Sequence, residues 1–256
     1  MTPPQTLPAA LLSHATAHPE EPWLFRGEGW DWRWHSWAEL ASWMAFWAER
    51  LSTLPPGTRV PFPATALPAS IIADLAIQAA GLIAVPDPAA AYPTDAEASP
   101  LPHHPPPERW PSAGGAVVHR DGLPVELTQS DLIEGAQRIQ KAIQPLSRGE
   151  DRQVVVLSGP WNDPAERALL SWATVTGAAL LLEPSPELRV ATAVWARPTL
   201  FHGTAEEISR LRRATEGLSQ RFQRLRTVLV TGPEMAAEDS RYWEGRGVKG
   251  TRMPEL

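Results

Sequence analysis

Any chemistry in this chain has to come from lysine, histidine, carboxylate and hydroxyl groups, because its 256 residues include no cysteine. That removes thiol nucleophiles, thiolate zinc sites and disulfides together. Lysine is nearly as scarce. Of 23 basic residues only Lys141 and Lys249 are lysines. Arginine stays protonated, so a reaction that needs a cation of adjustable pKa has two candidates. The carboxylates Asp151, Asp163, Glu166 and Glu183 are close enough in sequence to share a site, a spacing equally expected of a polar surface. His103 and His104 stand among prolines with no carboxylate at ligand spacing, so no metal site is assigned.

The glycine–x–serine–x–glycine elbow, the phosphate loop ending in Gly-Lys-Ser/Thr and the dinucleotide fingerprint are all missing. One segment nevertheless has the layout of a nucleotide loop. In "GGAVVHRDGLPVELTQSDL" (114–132) an apolar run leads into a turn at Asp121-Gly122-Leu123-Pro124, and a helix capped by Thr128 follows. A phosphate-binding turn gathers backbone N–H groups, hydroxyls and a lysine around the anion. This turn has one glycine and no hydroxyl, and Val125 stands where a lysine would be expected.

The composition is that of a folded globular protein, 43% hydrophobic and 20% charged. No apolar run approaches the roughly 18 residues of a membrane span, so no membrane is expected as a partner. No basic region precedes the first apolar stretch, which reads as the absence of a signal peptide and a cytoplasmic location. A net charge of −6 argues against nucleic acid. Locally, Arg210, Arg212, Arg213, Arg221, Arg224 and Arg226 face only Glu216, which suits a solvated helix face or an anion or partner surface.

The elements that must position these groups alternate. Helices are expected over 7–17, from Ser36, over 68–80, from Thr128, over 164–176, 186–196 and 204–220, and from Glu234 to Trp243. Strands are expected at 58–62, 82–85, 115–118, 153–158, 177–183, 198–203 and 226–232, with a hairpin around Gly27-Glu28-Gly29. Trp37, Leu40, Met44, Trp47 and Leu51 recur at helical steps, so the tryptophans are expected to pack rather than form a ligand platform. The pattern predicts an α/β fold: two αβ subdomains with largely parallel sheets flanked by helices, one over 1–110 and one over 111–256. A proline-rich linker at 86–111 joins them.

Five segments, in order, resemble the adenylate-forming superfamily of acyl-CoA synthetases, luciferases and peptide-synthetase adenylation domains. "HSWAEL" (35–40) is similar to its early Tyr/Trp-x-Glu-Leu element. "IQAAGLIAVPDP" (77–88) is similar to its helix ending in Ala-Gly and strand ending in Val-Pro. "TGAALLLEP" (176–184), "RPTLFHGTAEEISRL" (197–211) and "RLRTVLVTGPEMAAE" (224–238) resemble its Gly-Ala strand, Pro-Thr segment and Gly-Gly element. The resemblance implies the large N-terminal domain alone, with the C-terminal domain absent.

The same resemblance assigns site remnants. The nucleotide loop would be represented by His119, Arg120, Asp121, Gly122 and Pro124, with Val125 at the lysine. His202, Thr231, Gly232 and Pro233 would stand at the acyl or adenine pocket. Glu255 would be the last trace of a magnesium site, with Arg252 and Met253 at the family's Tyr-Gly pair. The ribose-gripping aspartate, the hinge and the catalytic lysine would all lie beyond Leu256. The implied protein has no confident catalytic residue, and ATP or AMP with magnesium is a cofactor only if the loop works. A non-catalytic binding or scaffolding subunit is expected, taking an acyl or aryl small molecule and paired with a biosynthetic enzyme or a second copy. The alternatives are an acid:AMP ligase half completed by another polypeptide, and a protein whose likeness records ancestry only.

Overall fold

The computed structural model describes residues 6–28, 31–90, 114–143, 152–216 and 224–254. The linker region beyond residue 90, with His103 and His104, lies outside them, as do Asp151, Arg221 and Glu255.

Helix α1 (Leu7–Ala17) starts at Thr6, whose hydroxyl accepts from Ala9 N. Strands β1 (Pro22–Glu28) and β2 (Asp31–Ser36) form the expected antiparallel hairpin. Ser36 caps α2 (Trp37–Leu51) through Glu39 N. The Glu39 carboxylate turns instead to His35 Nδ1 at 3.0 Å. Strand β3 (Arg59–Phe62), helix α3 (Pro68–Ala79) and strand β4 (Ile83–Pro86) follow. Gly81, at φ +80°, supplies the left-handed residue that turns the chain from α3 into β4.

Next come β5 (Gly115–Arg120), β6 (Leu123–Thr128) and α4 (Gln129–Ala142), the helix entered through a reciprocal capping box of Thr128 and Asp131. From there strand and helix alternate through β7 (Val154–Leu157), α5 (Pro164–Thr176), β8 (Ala179–Leu182), α6 (Arg189–Ala196) and β9 (Leu200–Thr204). Helix α7 (Ala205–Thr215), strand β10 (Thr227–Thr231), helix α8 (Ala237–Glu244) and strand β11 (Lys249–Arg252) complete the order.

Two largely parallel sheets result. The larger has seven strands in the order β11-β10-β9-β7-β8-β1-β2, and the smaller four in the order β3-β4-β5-β6. Among the described residues, only the hairpin strands β2 and β6 run antiparallel to their neighbours. The sheets do not divide at residues 110–111. β1 pairs with β8 and carries β2 on its outer side, while β5 pairs with β4 and carries β6. A sequence boundary separates neighbours in the chain, whereas backbone pairing here links strands more than 150 positions apart, as in Leu24 with Leu180.

Side chains on a strand alternate between its faces. Leu180 and Leu182 therefore enter the main core, with helices α1 to α5 and the smaller sheet. Leu181 points the other way, joining Val156, Phe201, Val228 and Val230 under α6 to α8. Trp37 is 1% exposed, stacked on Trp23 at 4.3 Å and on His14 at 4.6 Å between ring centroids. Trp47 is half-buried at the rim of the same core. One ion pair is sealed inside: Arg167 of α5 reaches Asp74 of α3 at 2.5 Å, and neither side chain has exposed surface.

Candidate functional site

Parallel strands place their loops at the carboxyl edge, where α/β sheets bind ligands. At that edge of the seven-stranded sheet lies a cleft of about 460 Å³. Its walls come from the β5–β6 hairpin, the first turn of α5, and the ends of β10 and β11.

The hairpin wall carries His119, Arg120 and Asp121. Asp121 (φ +52°) and Gly122 (φ +78°) are both left-handed, the conformation of a two-residue type I′ hairpin turn, for which Asp-Gly is a preferred pair. Pro124 pairs opposite His119 and Val125 opposite Val118 within the ladder. Residues 122–125 are thus a tight turn running into a strand. The Asp-Gly turn joins β5 to β6 in two residues, leaving no open loop between them to converge on an anion. Glu126 faces Arg59 at 3.0 Å, whereas Asp121 lines the cleft. The hairpin is fastened to the β7–α5 connection, where His119 N donates to Asn162 O at 2.7 Å.

The opposite wall is the α5 turn. Asp163 Oδ1 accepts from Ala165 N and Glu166 N, at 2.8 and 3.0 Å, which commits its carboxylate to capping the helix. Thr231 and Gly232 close the cleft from β10, and Arg252, Met253 and Pro254 from β11. Pro233 is exposed just beyond this lining.

His202 lies behind Thr231, buried among charges that sequence reasoning had not joined. Its Nε2 is 3.4 Å from Thr231 Oγ1, and its Nδ1 is 3.1 Å from Glu166 Oε1. Arg189 Nη2 lies 2.7 Å from the same carboxylate oxygen and 2.9 Å from the ring nitrogen. Glu166 Oε2 accepts from Ser158 N and Gly159 N, at 3.0 and 3.1 Å. Burial alone would raise the Glu166 pKa. The Arg189 charge, the His202 hydrogen bond and the Ser158 N–H outweigh it and bring the carboxyl down to about 2.

The two candidate sets taken from opposite halves of the sequence therefore meet in one place. His119, Arg120 and Asp121 face Thr231 and Gly232 across the cleft, with His202 one layer behind. Gly122, Pro124, Val125 and Pro233 are outside the lining, and Glu255 is outside the described residues. Of the four clustered carboxylates, Asp163 and Glu166 meet here, and Asp151 lies outside the described residues. Glu183 instead accepts from Ser185 N and Thr192 Oγ1. Arg189 gave no sequence signal, since it opens α6 with no motif around it.

No protein-family model matches the sequence, and no curated protein matches it. Solved structures do match in fold. The chain resembles the acetoacetyl-CoA synthetase from Streptomyces lividans with a TM-score of 0.74 at 16% identity, over 96% of this chain and 51% of that one. It resembles the nonribosomal peptide synthetase FmoA3 in its AMPPNP-bound form with a TM-score of 0.75 at 14% identity, over 99% of this chain and 32% of that one. The inhibitor-bound N-terminal domain of FACL13 from Mycobacterium tuberculosis gives a TM-score of 0.75 at 12% identity, over 98% of this chain and 76% of that one. The chain thus spans about half and a third of the first two proteins. It has the α/β fold of the N-terminal region of adenylate-forming enzymes, as the order of its segments implied.

Proposed function

We propose that this chain binds a small acyl- or aryl-acid derivative in the carboxyl-edge cleft without adenylating it, as a binding or scaffolding subunit beside enzymes that handle such acids. The observation that carries this reading is the Asp121-Gly122 hairpin turn, a closed two-residue connection where the resemblance implies a phosphate loop. The residues present do not fit a magnesium triphosphate. No lysine lines the cleft, and Lys249 Nζ is spent on Ala142 O at 2.6 Å. Asp121 puts a negative charge at the rim, which opposes a polyanion more strongly as water leaves. Among the described residues, no three histidine or acidic side chains gather as metal ligands. Arg120 and Arg252 beside Asp121 suit a ligand of at most one negative charge.

Pyrophosphate exchange with the purified chain, across a panel of fatty and aromatic acids, tests the proposal. No acid-dependent exchange is expected, and its appearance would make the hairpin a divergent working site. A second reading is favoured by the matched synthetases extending well past the region this chain covers: a ligase half completed by a separate polypeptide. It requires exchange to appear on adding a polypeptide that carries the lysine-bearing C-terminal domain.

A further inference from the structure

The group behind Thr231 has a direction built into it. Arg189 Nη2, Glu166 Oε1 and His202 Nδ1 form a nearly equilateral triangle of 2.7, 2.9 and 3.1 Å. Two N–H bonds on one guanidinium nitrogen diverge by about 120°, so they cannot both lie along sides that meet at about 60°. A carboxylate oxygen accepts over a broad range of angles and takes two donors readily. The arrangement that satisfies all three atoms has Arg189 and the ring Nδ1–H both donating to Glu166 Oε1. The second N–H of Nη2 is then directed toward Val156 O at 3.4 Å. The Ser158 and Gly159 amides hold the other oxygen, so the carboxylate cannot rotate away. A ring that carries its single proton on Nδ1 has a bare Nε2, which lies 3.4 Å from the Thr231 hydroxyl and can accept from it.

We propose that Glu166, Arg189 and His202 are positioning residues that orient the Thr231 hydroxyl so that it presents only lone pairs to the cleft. The ligand group seated against Thr231 is then a hydrogen-bond donor, an N–H or O–H, while carboxylate, phosphate or carbonyl oxygen is disfavoured there. This rests on the cleft being the ligand site proposed above.

The hydrogen-bond direction is tested without any ligand. In protein labelled with ¹⁵N-histidine, two-bond nitrogen–proton correlation should show His202 protonated on Nδ1 and bare on Nε2. A proton on Nε2, or on both nitrogens, overturns the proposal. In Glu166→Gln the amide oxygen stays on the Ser158 and Gly159 amides, which turns the NH₂ toward His202 and should move the ring proton to Nε2. A ring that keeps its Nδ1 proton in that variant also overturns it. Binding of the hydrolysis-resistant probe benzoyl-sulfamoyladenosine gives the second arm. Thr231→Val should weaken it about tenfold and Thr231→Ser should restore it. Equal binding by the valine and wild-type proteins would show that no donor meets Thr231. A wild-type protein that ignores the probe would refute the proposed ligand class, and the tautomer would still decide the positioning role.

Discussion

Replacing Asp74 by asparagine removes one half of an ion pair with no exposed surface. Arg167 would keep its Nε contact to Trp161 O at 3.3 Å, but its charge would be left buried without a counter-ion. Breaking a buried pair from one side costs about 3–5 kcal/mol, because the remaining ion has lost both water and partner. For a chain of this size that corresponds to a fall in melting temperature of roughly 10 °C. Replacing both residues at once, Asp74→Leu with Arg167→Met, removes the desolvation cost together with the attraction and should fall within about 1 kcal/mol of wild type or above it. Urea unfolding followed by circular dichroism on all four corners of the cycle measures this. The reasoning fails if Asp74→Asn costs under about 1 kcal/mol, or if the double variant loses the sum of the singles. The result bears on the cleft because this pair anchors α5, whose first turn is one of its walls.

Glu166 makes part of the stability pH-dependent. Folding lowers its pKa from an ordinary 4.5 to about 2, so its contribution is complete above about 4.5 and fades as the pH falls toward 2. The difference is worth about 3 kcal/mol, and Glu166→Gln should flatten acid unfolding across that window while lowering stability at neutral pH. Trp37→Ala should cost about 3–5 kcal/mol by urea unfolding and the half-buried Trp47→Ala clearly less, since Trp37 loses two stacked rings and full burial. Gly114→Ala should destabilise because its Cβ would fall 2.1 Å from the Gln78 carbonyl oxygen, which thermal melting would register. Val125→Lys should leave pyrophosphate exchange at background, because that position lies in the β6 ladder opposite Val118 rather than in the cleft.

The legible parts of the sequence were those with local causes. Pro164 after a capping Asp163, Thr204 with Glu207 three places on, and Gly177 at φ +76° mark helix ends that the structure reproduces. The continuous apolar run in "GAALLLE" gave β8, and helical recurrence gave the buried face of α2. Strand β6 was read as loop, because Pro124 and Glu126 interrupt its apolar pattern and one face of it is exposed. The Asp-Gly pair at Asp121 carries a hairpin signal at the place where the resemblance implies a phosphate loop. The exchange of β1 and β2 into the far sheet has no local signature, since it depends on Trp23 and Leu24 packing against segments more than 150 residues away. The Glu166–Arg189–His202 cluster was invisible for the same reason: its members are 13 to 36 positions apart and meet only when α5, α6 and β9 are assembled.

On the proposed function, the cleft takes an acyl- or aryl-acid derivative of low charge and refuses the magnesium triphosphate. Isothermal titration of the purified chain with benzoyl-sulfamoyladenosine, and separately with ATP and magnesium, measures both halves in one experiment. Saturable heat from the first ligand, reduced in Thr231→Val, with none from the second up to millimolar concentration, is the predicted result. Tight binding of ATP with magnesium would contradict the account, because the Asp121-Gly122 turn would then be holding the phosphates it is argued to exclude.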